Sequence, residues 1–244
     1  MRYLIVFLTC ALLSAGCSGP DIAVHPTTSY DTLGIKWMVI ERNNITYYFQ
    51  GTGEKGASVF TDMHEEAYTS LDEIFKAKLP RKLRFFVWTN SLQAEQMLNR
   101  QVGFAQPKSC ICHINANQSL GHEMTHILSY WADGVEPTSF SRFINEDIAV
   151  AFDLSKVDRV ERAKKAVAGG NIGSVAMVWS GNKELDDEVL YPLAGAFVEF
   201  LYHQNTRDQF NTLMKKQTLE DAQDIYGKER LEAWIKEFDA LVGL

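Results

Sequence analysis

A chain of 244 residues, 46% of them hydrophobic, has the material for one unit of catalytic size with a real core and a helical extension. Its formal net charge is −7 and no run of Lys or Arg makes a stripe, which excludes nucleic acid as an expected partner. The acidity is spread along the chain and serves solubility.

The first sixteen residues read as an export signal. Met1-Arg2 is a basic start, and Tyr3 to Leu13 is an apolar run too short to span a bilayer as a mature helix. Small residues follow in Ser14-Ala15-Gly16, directly before Cys17. This arrangement resembles the lipobox of bacterial lipoproteins, with Ser14 where Leu is usual and Leu13 one place earlier. The resemblance implies that Cys17 becomes the lipidated first residue and ties the chain to a membrane. Ser18 after it resembles sorting to the outer membrane, facing the periplasm, if the host is Gram-negative. An ordinary cleaved signal with a nearby Cys is the alternative. Residues 17–33 are rich in Ser, Thr, Pro and Gly and are expected to be a tether, leaving 34–244 as the folded domain. Cys10 falls in the signal, so Cys110 and Cys112 are the pair left in an oxidising compartment. A strained Cys-x-Cys bridge, two free thiols and, last, a second metal site are all open to them.

Beyond the tether, Trp37–Glu41 and Ile45–Gln50 are strand-like and are joined by Arg42-Asn43-Asn44, a hairpin signal. Ala57 to Lys78 reads as a helix with Val59, Phe60, Met63, Ala67, Leu71, Ile74 and Phe75 on one side, ended by Pro80. His64 stands beside Glu65 and Glu66 with no partner at four-residue spacing, and is expected to face solvent. Leu83–Trp88 reads as a strand, Ser91–Asn99 as a short helix and Gly103–Lys108 as a loop. Cys110–Asn115 reads as a short strand that carries His113, which faces either a cleft or solvent.

The next stretch carries the chemistry. In His122-Glu123-Met124-Thr125-His126 the imidazoles are four apart, on one helix face, where one cation takes a nitrogen from each. This is the spacing of a zinc protease helix, with Glu123 as general base. Leu120, Met124, Ile127, Leu128 and Trp131 form an apolar stripe away from the histidines, and Asn117 or Ser119 is a candidate cap. Catalytic zinc takes three protein ligands and keeps one open position. Glu146 follows His126 after 19 residues, inside a second helical pattern with Phe140, Phe143, Ile144, Ile148, Ala151 and Phe152. A carboxylate in such an apolar run is costly unless paired or bound to a metal, which makes Glu146 the third-ligand candidate. Gly134 and Pro137 break the two helices, and the short connection lets them pack together.

His-Glu-x-x-His followed about twenty residues later by Asn145-Glu146 on a helix resembles the gluzincin zinc metallopeptidases, the peptidase MA-like group that includes thermolysin-like and aminopeptidase N-like enzymes. The resemblance runs from about Trp37 to the C-terminus. It implies one Zn2+ held by His122, His126 and Glu146, with Glu123 as catalytic base and a peptide or protein as substrate. It also implies that the Cys110–Asn115 strand offers a free edge to an extended peptide. Many of these enzymes have Trp-x-x-Glu-Gly-x-Ala around the third ligand; here Phe143, Glu146 and Ala149 keep the pattern and Asp147 replaces the Gly.

Ser155–Ala168 reads as a charged helix and Gly169–Gly181 as a flexible loop beside the cleft, with Val175, Met177 and Trp179 as guesses for substrate contacts. Tyr191-Pro192 is expected to open an apolar helix whose core residues are Leu193, Phe197, Phe200 and Leu201. In the resembling enzymes a Tyr in this region faces the metal, which makes Tyr191 the candidate oxyanion donor. Glu199 is expected to pair with a cation, and the C-terminal stretch from Leu231 to Val242 to form an amphipathic helix.

The expected architecture is therefore α+β. A small, mostly antiparallel sheet packs on the zinc helix over 34–132, and a helical part with the third ligand fills 133–244. The expected activity is peptide-bond hydrolysis. A lipid-anchored inactive binding or assembly protein on the same scaffold is the alternative, and a hydrolase of a non-peptide bond is a third reading.

Overall fold

The computed structural model describes residues 34–244. The signal (1–16), the tether (17–33) and the lipidation candidate Cys17 lie outside the described residues.

Strands β1 (Met38–Glu41) and β2 (Ile45–Phe49) form the expected antiparallel hairpin. Helix α1 (Glu54–Phe75) then carries the chain to β3 (Leu83–Trp88), and α2 (Ser91–Leu98) leads to β4 (Phe104–Gln106) and β5 (Ile111–Asn115). The sheet order is β1-β2-β3-β5-β4. It is mixed rather than mostly antiparallel, because β2 pairs with β3, and β3 with β5, in parallel. The reason is the connections. Adjacent parallel strands need a crossover long enough to bring the chain back, and α1 and α2 are those crossovers.

Period-two alternation divides the sheet between two cores. Tyr47, Phe49, Phe85, Val87, Cys112 and Ile114 face the main core, with Leu71 and Phe75 of α1. Val39, Tyr48, Phe86 and Trp88 face a smaller one with Trp37 and Ala94. The buried face of α1 is Ala57, Thr61, His64, Ala67, Leu71 and Phe75. Val59 and Met63 lie outside it and are exposed, and His64 is buried rather than solvent-facing. Its ring stacks on Phe60 at 3.9 Å and its Nδ1 bonds the Phe60 carbonyl, so the helix itself satisfies the imidazole. Cys110 and Cys112 are two buried free thiols.

The rest of the chain is helical: α3 (His122–Tyr130), α4 (Arg142–Phe152), α5 (Arg159–Val167), α6 (Val175–Trp179), α7 (Asp187–Gln204), α8 (Arg207–Lys215), α9 (Leu219–Tyr226) and α10 (Lys228–Val242). The coarse class is thus α+β. Helix α5 starts later than its charge pattern suggests because Asp158 caps it, accepting from Glu161 N. The glycine-rich stretch contains α6, capped by Ser174, whose Val175 and Trp179 are buried in the main core while Met177 is exposed. The Trp179 indole donates to the Gln217 carbonyl and its ring stacks on Phe143. Helix α7 begins at Asp187, so Pro192 sits in its interior rather than in its first turn. Gly195 allows α7 to press on α4: a Cβ there would stand 2.6 Å from Val150 Cγ1. Glu199 pairs with Arg159 at 3.4 Å. No described helix is long and apolar enough to cross a membrane.

Candidate metal centre

Helix α3 is aimed by its first residues. Gly121 caps it at φ +92°, a conformation that favours glycine, and a Cβ there would also meet Leu71 at 3.4 Å. Neither Asn117 nor Ser119 caps the helix; Ser119 Oγ donates instead to Asp153 Oδ2 at 2.8 Å. Met124, Ile127 and Leu128 bury the inner face, while His122 and His126 are half-buried on the cleft side. Helix α4 packs beside α3 and brings Glu146 to the same place.

A cleft of about 200 Å³ is lined by His122, Glu123, His126, Asn145 and Glu146, with Arg100, Gly103, Phe104, Ala105 and Pro107 opposite. The two imidazoles lie 5.2 Å apart between ring centres, nearly perpendicular at 86°. His126 Nε2 is 3.8 Å from Glu146 Oε2. The His126 ring also hydrogen-bonds the Asn145 backbone, and Asn145 Nδ2 donates to Glu146 Oε1 at 3.3 Å. Burial pushes the pKa of each imidazole down to about 4, with the His126 charge adding to the effect at His122. Both rings are therefore neutral at pH 7, with lone pairs available. Burial, with the Glu146 charge second, raises Glu123 to about 7, and Arg100 opposes the rise. That value suits a group that must take and return a proton near neutrality.

Two neutral imidazoles and a carboxylate are donors of the kind a zinc-like divalent ion takes. Two ligand atoms on one tetrahedral zinc stand roughly 3.3–3.6 Å apart, given the usual bond lengths. The 3.8 Å between His126 and Glu146 is slightly wider than that. As they stand, the described His, Cys, Asp and Glu side chains form no group of three within chelating distance. The Glu146 side chain is 38% exposed and has room to close the remaining gap.

Four of the expected site residues therefore share one cleft; Tyr191 does not line it. Tyr191 borders a neighbouring cavity of about 210 Å³ with Val150, Asp153 and Arg159. Its hydroxyl is hydrogen-bonded by Arg142 and feels the charge of Glu146. Asp147 is also outside the cleft. It is fully buried, neither carboxyl oxygen has a hydrogen-bond partner, and burial with the Glu146 charge raises it to about 9.

The sheet edge at the cleft is β4, within a stretch expected to be a loop. β5 is interior, paired on both sides, so it has no free edge to offer. His113 on β5 is neither in the cleft nor exposed. It is buried on the opposite face of the sheet, stacked on Phe86 and Phe104 at 4.9 Å each, with Nδ1 accepting from the Trp88 indole at 3.1 Å. Arg100 is a cleft residue that sequence reasoning missed. It belongs to no motif, and only the sheet brings it opposite α3.

Compared with models of known protein families and with curated proteins, the chain gives no match.

Proposed function

We propose that this chain is a zinc-dependent peptidase of gluzincin type, with His122, His126 and Glu146 as ligands and Glu123 as general base. The reading rests above all on one juxtaposition: Glu146, from a separate helix, reaches 3.8 Å from His126 Nε2 beside the buried Glu123. Zinc bound there supplies Lewis acidity, which acidifies water and polarises the scissile carbonyl. Glu123 takes the proton of the attacking water and returns it to the leaving amine, a shuttle its raised pKa favours. The Asn145 backbone fixes the His126 ring, an outer-shell bond of the type that orients metal-binding histidines. An extended peptide adds as a strand to the free edge of β4, which borders the cleft. Tyr191 keeps the role of oxyanion donor in this proposal only by turning from Arg142 and its own cavity into the neighbouring cleft. The N-terminal pattern supports an exported protein anchored to a membrane through lipidated Cys17.

Glu123→Gln is expected to keep one zinc per chain and lose peptide cleavage by about 10²–10⁴-fold. Undiminished proteolysis by the pure variant would refute the mechanism.

The second reading, a lipid-anchored inactive binding or assembly protein, draws on Asp147 in place of the usual Gly. Asp147 does not line the cleft, so that departure bears on the packing of α4 rather than on the donors. Bound zinc with no turnover of a peptide library, with or without chelator, would favour this second reading.

A further inference from the structure

The cleft has a cation at its mouth that the mechanism above leaves without a task. Arg100 follows α2, after Asn99 in the left-handed conformation at φ +52° has ended the helix. The guanidinium carbon lies 3.7 Å from the centre of the Phe104 ring. Phe104 belongs to β4 and stacks on His113, which the Trp88 indole holds in turn. An aromatic platform built into the sheet therefore positions the guanidinium, rather than a carboxylate. Among the described residues no ion pair or side-chain hydrogen bond occupies Arg100. Its charge is nevertheless felt at Glu123, across the cleft.

The charge balance gives this cation a purpose. Glu123 and Glu146 together offset a divalent ion, so Arg100 remains as the net charge at the mouth. A guanidinium is planar, with five N–H donors in a fork that matches a carboxylate. We propose that Arg100 reads a carboxylate of the substrate, so that the cleft selects peptides with an acidic group beside the scissile bond. The carboxylate is that of an Asp or Glu side chain or the free C-terminus of the peptide. The inference deepens the peptidase reading and rests on it for the identity of the ligand, but binding tests it without turnover.

The probes are three fluorescent peptides of one sequence: a neutral one with central Asn and a C-terminal amide, the same with central Asp, and the Asn peptide with a free C-terminus. Binding is measured by anisotropy to the zinc-loaded Glu123→Gln variant, which holds the probes without cleaving them, and the Arg100 substitutions are made in the same background. One acidic probe is expected to bind about tenfold more tightly than the neutral one at low salt, and the ratio should shrink as salt screens the pair. Whichever acidic probe gains identifies the source of the carboxylate. Arg100→Gln should bring the ratio to one, and Arg100→Lys should keep part of it. Each ratio is taken within one variant, so a uniform loss of binding does not imitate the effect. Equal affinity of the zinc-loaded Glu123→Gln variant for acidic and neutral probes, including none for either, would overturn the inference. So would a preference that survives Arg100→Gln. An intact preference with no cleavage by zinc-loaded wild type would instead overturn the peptidase reading and leave Arg100 in its role.

Discussion

Two pairs of histidines in this molecule share one electrostatic signature and differ in everything else. Burial pushes His64, His113, His122 and His126 alike down to about 4. His64 spends its Nδ1 on the Phe60 carbonyl, and His113 accepts the Trp88 indole proton; both rings lie among aromatic side chains. His122 and His126 face each other and a carboxylate from another helix, in a cleft open to solvent. A depressed imidazole thus says only that the ring is buried. Whether the ring is enclosed among core side chains or faces a cleft separates a packing histidine from a candidate ligand.

That contrast breaks most sharply at Glu123. If the cleft pair serves catalysis, Glu123→Gln should show the largest loss of all, with zinc content unchanged by elemental analysis. Next, His126→Ala or Glu146→Gln should reduce zinc from about one per chain to near none at micromolar protein, since each removes one of the three proposed ligands. His113→Ala should keep the zinc and instead lose about 1–3 kcal/mol of stability, by leaving the buried Trp88 indole without an acceptor. Zinc loss from His113→Ala with the fold intact would erase the distinction between the two pairs.

A smaller effect concerns Asp147. Its ordinary value is 3.8 and burial holds its proton to about 9. The unfolded chain ionises it from the lower value upward, so the stability it contributes is full below pH 3.8 and is lost as pH rises toward 9. Asp147→Asn should therefore gain about 1–3 kcal/mol in urea unfolding at pH 8 and almost nothing at pH 4. An equal change at both pH values would show that Asp147 does not carry its proton in the fold. Tyr191→Phe is the finest test, expected to lower kcat about tenfold with little change in KM if the hydroxyl meets the oxyanion. An unchanged kcat would leave Tyr191 as the partner of Arg142 alone.

The cleft residues legible in the sequence were those whose neighbours are local. His122 and His126 share a face by helical period, and the apolar residues around Glu146 set α4 beside α3 after a short break. Apolar and aromatic content recovered β3, and period recovered the buried stripe of α10. It failed at His64, because the flanking Glu65 and Glu66 resemble a solvated face. In the fold Glu65 accepts from the Asn44 and Ile45 backbone, and the ring beside it turns inward. It failed at β4 because three residues are too few to show a period, and β4 exists through pairing with β5.

The amino-acid order alone determined that two imidazoles share one helix face with a carboxylate next to the first, and that a second helix follows closely with another carboxylate. Those are facts of spacing, written within one or two turns of chain. The fold alone decided that β4 rather than β5 is the free edge, that Arg100 faces the cleft from the far side, and that His113 and Trp179 are spent in the cores. Each of these depends on which distant segment comes to lie alongside. That choice is made by burying the two faces of a sheet at once, and no local period encodes it.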